Sequence, residues 1–212
     1  MFNNIFKRKQ DEEQVRSEGR LPPGQSLTEK FPVLHYGPVP EFNPQTWDFK
    51  VSGEVETPVR LTWDEFQQLP RKKLKMDIHC VTRWSKFDTE WEGVSVRDLV
   101  DQGVIKLKPT ARYVVQVADY GFTVNLPLSV VLQDNFLMAT YFNGEPISPD
   151  HGYPLRGIIG AIPGRDDIKV PYFWKGAKWL RALYFLAQDR PGFWEQAGYH
   201  NEADVWKEER FG

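Results

Sequence analysis

In Lys72–Thr82, KKLKMDIHCVT, the apolar residues Leu74, Met76 and Ile78 fall on every second position, and Cys80 continues the series. Side chains alternate between the two faces of an extended strand. This period of two therefore predicts a β-strand whose apolar face ends on a thiol, with His79 facing the other way. On the N-terminal side, Trp47–Val55 alternates in the same manner (Trp47, Phe49, Val51) and reads as a half-buried strand. Between the two, Thr62 followed by Glu65 has the spacing of a capping box and predicts a short helix ending at Leu69–Pro70. On the C-terminal side, Ser95 with Asp98 starts a second short helix through Asp101, stopped by Gly103. Tyr113–Val117 and Gly121–Asn125 read as strands joined by Asp119-Tyr120-Gly121. Leu137–Phe142, Asn143-Gly144 and Glu145–Ile147 carry a strong hairpin signal, and Leu180–Leu186 is a further strand. Short strands, short helices and frequent turns without regular βα alternation predict an α+β domain with substantial mixed sheet.

The chain has 212 residues, the size of one domain. Its 27 lysines and arginines against 29 acidic residues give a net charge of −2, which removes the broad positive field of a non-specific nucleic-acid binder. With 41% hydrophobic and 14% aromatic residues it can fill one sizeable core. Residues 1–20 are mostly charged and are expected to be a mobile tail or a frayed helix ahead of a folded domain over 21–212. That N-terminus has no apolar stretch of the secretory kind and no twin-arginine pair. No window reaches the ~18 apolar residues of a membrane helix, so a soluble, cytoplasmic protein is expected. Leu21–Pro44 holds six prolines, which fix an extended, wrapping path.

Cys80 is the single cysteine, so neither a disulfide within the chain nor an all-thiolate metal site can form, and a metal on Cys80 must find its other ligands elsewhere. Nucleophile-elbow, P-loop, dinucleotide and HExxH patterns are absent. What remains is the cysteine in HCVTRWS, the compact HGYPLR at His151–Arg156, and WKGAKW at Trp174–Trp179. Together these gather Arg83, His151, Arg156, Lys175 and Lys178 around glycine-flanked backbone, a set suited to an anionic, phosphate-bearing ligand. Each also has a plainer reading. A lone cysteine is commonly a small buried hydrophobe, the lysines a solvated face, Arg156 a carboxylate's partner, and the tryptophans core.

The order of FPVLHYG, VSGEV, DIHCVTRWSKFDTEWEGV, HGYPLR, YFWKGAKW and GFWE with GYHN resembles the molybdopterin-dependent oxidoreductases of the sulfite oxidase superfamily, most of all their small haem-free bacterial members. The resemblance spans about Leu21 to the C-terminus. It implies a sulfite oxidase-type fold and Cys80 as the thiolate ligand of molybdenum, with the pterin's ene-dithiolate supplying two more sulfurs. It further implies pterin contacts from His35 and Tyr36, a polar contact from His151, and Arg156 in the place of the family's arginine. Gly176, Ala177 and Lys178 match the loop that holds the cofactor's phosphate end, and Ala118 or Asp119 falls near another contact. Two features depart from the pattern. The segment between Arg156 and Trp174 is longer, leaving Arg165 and Lys169 without a matched role, and the cysteine is followed by VTRW in place of an arginine-rich stretch.

The implied activity is two-electron oxygen-atom transfer on a small S-oxide or sulfur oxyanion. Electrons would be exchanged with a separate protein partner, because neither a haem-binding CxxCH nor a flavin fingerprint is present. Two alternatives stand beside it: a thiol hydrolase or transferase with Cys80 as nucleophile and His151 or His35 as base, and a non-catalytic pterin-binding module. Zinc fits poorly, since His79 and Cys80 are expected on opposite faces.

Overall fold

The structure is a computed structural model that describes residues 2–212. The chain opens with helix α1 (Phe2–Ser17) and a two-residue strand β1 (Ser26–Leu27), then runs through β2 (Asp48–Gly53), β3 (Val59–Thr62), α2 (Trp63–Gln67), β4 (Lys72–His79), β5 (Trp84–Val94) and α3 (Val96–Asp101). It continues through β6 (Tyr113–Ala118), β7 (Thr123–Pro127), α4 (Leu128–Val131), β8 (Phe136–Phe142), β9 (Glu145–Pro146), β10 (Arg156–Ile159), β11 (Leu180–Leu186) and α5 (Phe193–Gln196). The short helices start where their side chains supply the missing acceptors. The Thr62 hydroxyl accepts from the Glu65 amide while the Glu65 carboxylate accepts from the Thr62 amide, and Ser95 caps α3 through the Asp98 amide. Phe66 and Leu99 bury what these helices contribute to the core.

Two mixed sheets result. One has the order β1-β5-β8-β10, with β4 paired to β5 and β9 to β8; the other has the order β3-β2-β11-β6-β7. Most pairs are antiparallel, but β1 runs parallel to β5 and β2 parallel to β11. In the first sheet, strands β8 and β10 are buried on both faces, while β4 and β5 turn charged residues such as Lys73, Lys75 and Glu90 to solvent. Along β8, Phe136 and Met138 enter the large core that also holds Phe49, Val114 and Leu183 of the second sheet, while Leu137 and Ala139 enter a smaller cluster with Met76, Ile78, Trp91 and Phe173. This explains why β8 reads as a nearly continuous apolar run. Cys80 follows β4 at the edge of that smaller cluster, and His79 lies on the opposite side, bonded to Ser85.

The sequence gives no clear signal for β5, although it is the longest strand and pairs with three others. Its buried positions include Ser85, Thr89 and Gly93 in place of large apolar residues, and Asp88 interrupts the extended run with φ 55°. The alternation is thereby masked. The strand expected from Gly121 starts at Thr123, because Asp119–Gly121 forms a single 3-10 turn. Strand β10 begins at Arg156, inside the HGYPLR segment. Among the described residues no helix is long and apolar enough to cross a membrane.

The N-terminal segment is tied to the sheets by polar contacts. The Glu12 carboxylate accepts from the Leu27 amide at 3.2 Å. Arg20 forks onto Asp77, Nε to Oδ2 at 2.9 Å and Nη2 to Oδ1 at 2.8 Å. The Asp77 side chain is only 1% exposed, so loss of Arg20 leaves a buried carboxylate with the Asp88 amide but without its cation. Arg20→Ala should lower unfolding stability by about 2–4 kcal/mol in chemical denaturation, the order expected for breaking such a pair; a change below about 0.5 kcal/mol would show that the pair contributes as little as an exposed one.

Candidate functional site

Cys80 begins a tight connection between β4 and β5. Its amide donates to Trp84 O at 2.8 Å, and its carbonyl accepts from the Arg83 amide at 3.0 Å. Arg83 closes the turn in the left-handed region, with φ 71°. The thiol is buried, yet it borders a cavity of about 330 Å³ whose walls also include His35, His151, Arg156, Gly176 and Lys178. Residues far apart in sequence thus meet at one place. The Thr82 hydroxyl donates to Sγ at 3.1 Å. Burial pushes the Cys80 thiol up, against the opposing pull of the Thr82 hydrogen bonds and the nearby Arg210 charge. Neither His35 nor His151 hydrogen-bonds the sulfur.

The charge around the cavity is one-sided. Arg156 is 2% exposed and has no carboxylate partner. Its Nη1 donates to His151 O at 2.8 Å, and the guanidinium lies over Phe173 at 4.4 Å. Burial draws its pKa down to about 9, with the nearby Cys80 acting the other way, so it still carries its charge at neutral pH. Lys178, whose Nζ donates to Asp150 O at 2.6 Å, is drawn down to about 7, first by burial and then by Arg156. His151 falls to about 4 for the same two kinds of reason, so its imidazole is neutral at pH 7. The ring stacks on Phe31 at 3.8 Å and 7°, and its buried Nδ1 has no hydrogen-bond partner. No aspartate or glutamate lines the cavity. A charged guanidinium, a lysine amine and an unpaired imidazole nitrogen, with no acid on the wall, make a binding place for an anion with polar edges.

Close backbone approach makes this arrangement possible. Gly152 has φ 114°, and a Cβ there would press on both Arg156 and Lys178. A Cβ on Gly176 would collide with the carbonyl of Gly157. The side chain of Gln116 secures the same loop, donating to Lys175 O at 2.6 Å and accepting from the Ala177 amide at 3.0 Å.

The other sequence candidates are divided between the rim of this cavity and places elsewhere. Lys175 is fully buried outside the cavity walls, with Nζ bound to Glu195 at 2.6 Å and to Asn125 O and Oδ1, both at 3.0 Å. The Ala177 amide is already engaged by Gln116. Arg83 is exposed at the turn and is not part of the cavity wall. Tyr36 is exposed at the rim, its ring 4.7 Å from Phe193, and His35 packs edge-on to Trp179 at 5.3 Å. Asp119 pairs with Arg181 at 3.1 Å beside a different cavity. In the longer loop, Arg165 pairs with Asp134 and Asp167, and Lys169 with Glu202. Sequence reasoning passed over Phe31, Thr82, Trp84, Phe173, Trp194 and Tyr199 as wall residues. Aromatic residues signal core as readily as cavity, so their type alone does not mark them.

Among the described residues no three His, Cys, Asp or Glu side chains converge to hold a metal ion. A metal on Cys80 must therefore take its other donors from a bound group. A family model described as "Oxidoreductase molybdopterin binding domain" matches residues 36–194. The chain is 43% identical over 199 residues to the "Uncharacterized oxidoreductase YuiH" of Bacillus subtilis (strain 168), covering 93% of this chain and 95% of that protein. It is 30% identical to the "Nitrate reductase [NADH]" of Spinacia oleracea over 76% of this chain, and 23% identical to "Sulfite oxidase, mitochondrial" of Drosophila melanogaster over 81%. It spans only 20% and 32% of those two longer proteins. Among solved structures, the "Sulfane Dehydrogenase SoxCD from Paracoccus pantotrophus" shares the fold at a TM-score of 0.60 and 20% identity, over 73% of this chain and 41% of that one.

The depressed Lys178 value sets a pH dependence. Between about 7 and the ordinary lysine value of 10.5, the unfolded chain holds more protons at this residue than the folded one, so its contribution to stability grows as pH rises. In cofactor-free protein, wild type should gain stability relative to Lys178→Met as pH rises through that window. Denaturation curves that keep a constant gap between the two would refute the assignment.

Proposed function

The chain belongs to the oxidoreductase molybdopterin-binding family, and on that premise we propose that it performs two-electron oxygen-atom transfer on a small S-oxide or sulfur oxyanion, with Cys80 as the protein's ligand to molybdenum. It is an oxidoreductase of a family that uses molybdenum held by molybdopterin. The observation that carries the finer reading is the thiol of Cys80 at the wall of a cavity that also holds a fully buried arginine without an acidic partner. Such a cation is costly in a protein interior unless an anion completes it. The volume of about 330 Å³ lies in the range of about 300–1,000 Å³ usual for small-molecule and cofactor sites.

The residues present fit the cofactor. Cys80 would supply the sulfur ligand. Lys178 and Arg156 would face the anionic end, with Gly176 permitting close approach of the loop. The neutral His151, with its unpaired Nδ1, would meet a polar edge of the pterin, and His35 and Tyr36 would cover it from the rim. When bound, the molybdenum cofactor supplies the two-electron change and the exchangeable oxygen site. The chain's own part is to orient that group and to keep bulk water out with Phe31, Trp84, Phe173, Trp174 and Trp179. With those aromatic walls and both cations turned to the cofactor, a neutral S-oxide is the better fit of the two substrate classes.

Residues 21–212 would form the catalytic domain, with 1–20 a segment docked on it through Glu12 and Arg20, in a cytoplasmic location. A single buried thiol without a disulfide suits such a reducing compartment. Electrons would be exchanged with a separate partner, the 212 residues holding no CxxCH for covalent haem attachment. The thiol-nucleophile alternative is disfavoured by the raised thiol pKa and by the lack of a histidine bonded to the sulfur.

Purified protein should contain about one molybdenum per chain, as expected for a single thiolate ligand, and Cys80→Ser should lose it. Metal-free wild type that is labelled at Cys80 by electrophiles would overturn the reading in favour of a thiol enzyme. Loaded protein with a dye donor should reduce S-oxides; turnover of sulfite alone would reverse the substrate preference. Arg156→Met should raise the melting temperature of cofactor-free protein, by relieving an unpaired buried charge, while abolishing molybdenum retention. Unchanged retention with a large fall in melting temperature would show Arg156 to be structural.

A further inference from the structure

The turn that carries Cys80 is gripped from behind by side chains from the two ends of the chain. Gln25 is 3% exposed, and its Nε2 donates to Cys80 O at 3.1 Å. Arg210 is 6% exposed, and its Nη1 donates to the carbonyl of the next residue, Val81. Two consecutive carbonyls are thus captured by buried donors, in addition to the turn's own hydrogen bonds.

Each donor is itself held. The Ser85 hydroxyl donates to Gln25 Oε1 at 3.3 Å and meets His79 Nδ1 at 2.8 Å. Strand β1 fixes the backbone beside Gln25, with the Ser26 amide donating to Arg83 O at 3.0 Å. The Arg210 guanidinium lies 4.8 Å from the centre of the Tyr172 ring, with Nη2 3.8 Å from Glu208. Its Nε and Nη2 have no hydrogen-bond partner, so the grip on Val81 O is the one hydrogen bond recorded for this buried side chain. A cation kept in that state, aimed at the backbone beside the thiol, is not explained by stability alone.

Residues 25 and 210 both lie outside residues 36–194, the segment matched by the family model. The grip therefore comes from the flanks of the matched segment.

We propose that Gln25 and Arg210 are positioning residues for the Cys80 sulfur. The Cys80 amide is fixed by Trp84 O, its carbonyl by Gln25 and the Arg83 amide, and the following carbonyl by Arg210, so the peptide planes on both sides of its Cα are immobilised. With the backbone fixed, the Thr82 hydroxyl at 3.1 Å sets the direction of Sγ toward the cavity. Arg210 also places a positive charge behind the ligand turn, which favours the more reduced state of a metal bound there. This inference rests on Cys80 being the molybdenum ligand.

The test uses the full chain with Gln25→Met, Arg210→Gln and the charge-retaining Arg210→Lys. In cofactor-free protein, Gln25→Met should speed alkylation of Cys80 by iodoacetamide while the melting temperature stays near wild type. In loaded protein, Gln25→Met and Arg210→Gln should retain molybdenum roughly tenfold less well, the order seen when outer partners of a metal ligand are removed. Arg210→Gln should also lower the molybdenum midpoint potential and alter the Mo(V) electron paramagnetic resonance signal, and Arg210→Lys should restore both. Wild-type alkylation, retention, potential and signal in the Gln variants would overturn the proposal, as would a failure of Arg210→Lys to rescue a folded protein. Should Arg210→Gln not fold, Gln25→Met decides by itself. A wild-type protein without molybdenum would refute the function proposed above, while the alkylation comparison would still decide whether the grip controls the thiol.

Discussion

A guanidinium buried without a carboxylate is the constraint around which this molecule is arranged. Arg156 lies in the interior, bonded to the main-chain oxygen of His151 and laid against Phe173. Those contacts soften the cost of its desolvation but do not neutralise its charge. No acid lines the cavity wall, Lys178 adds a second basic group, and His151 is held neutral. Other buried charges are closely paired, Asp77 with Arg20 and Lys175 with Glu195. The contrast separates a site prepared for an anion from ion pairs that complete the interior.

The two sheets give that site its rigidity. Because strand β8 is buried on both faces, residues on one face of it anchor the large core while those on the other support the aromatic wall beside Cys80. The loop over Gly176 is fixed by backbone contact with Gly157 and by the side chain of Gln116 reaching from β6 in the second sheet. The thiol turn is secured independently, by Gln25 and Arg210 from the chain's flanks. Cavity, loop and turn are thus each held by elements of different sheets and termini, so the distance between thiol and cations depends on the whole domain.

What was legible in advance was local. The capping box at Thr62 and Glu65, the Asn143-Gly144 hairpin and strand Leu180–Leu186 depend on residues a few positions apart, and they stand where their spacing put them. Strand β5 was illegible because Ser85, Thr89 and Gly93 occupy its inward positions, chosen by contact with Gln25, Met76 and Met138 across the fold. The two lysines of WKGAKW look alike in sequence. One is paired with Glu195 in the interior, and the other faces the cavity.

By itself the sequence determined the α+β class, the thiol at the end of a strand and the ordered motifs that mark the family, because each is a pattern of residue types at short range. Only the tertiary structure decided which cations share a cavity with Cys80, that Arg156 has no acid beside it, and that Gln25 and Arg210 grip the cysteine turn. These relations join residues more than fifty positions apart. Their proximity is set by how two sheets pack and cross, and no spacing along the chain records it.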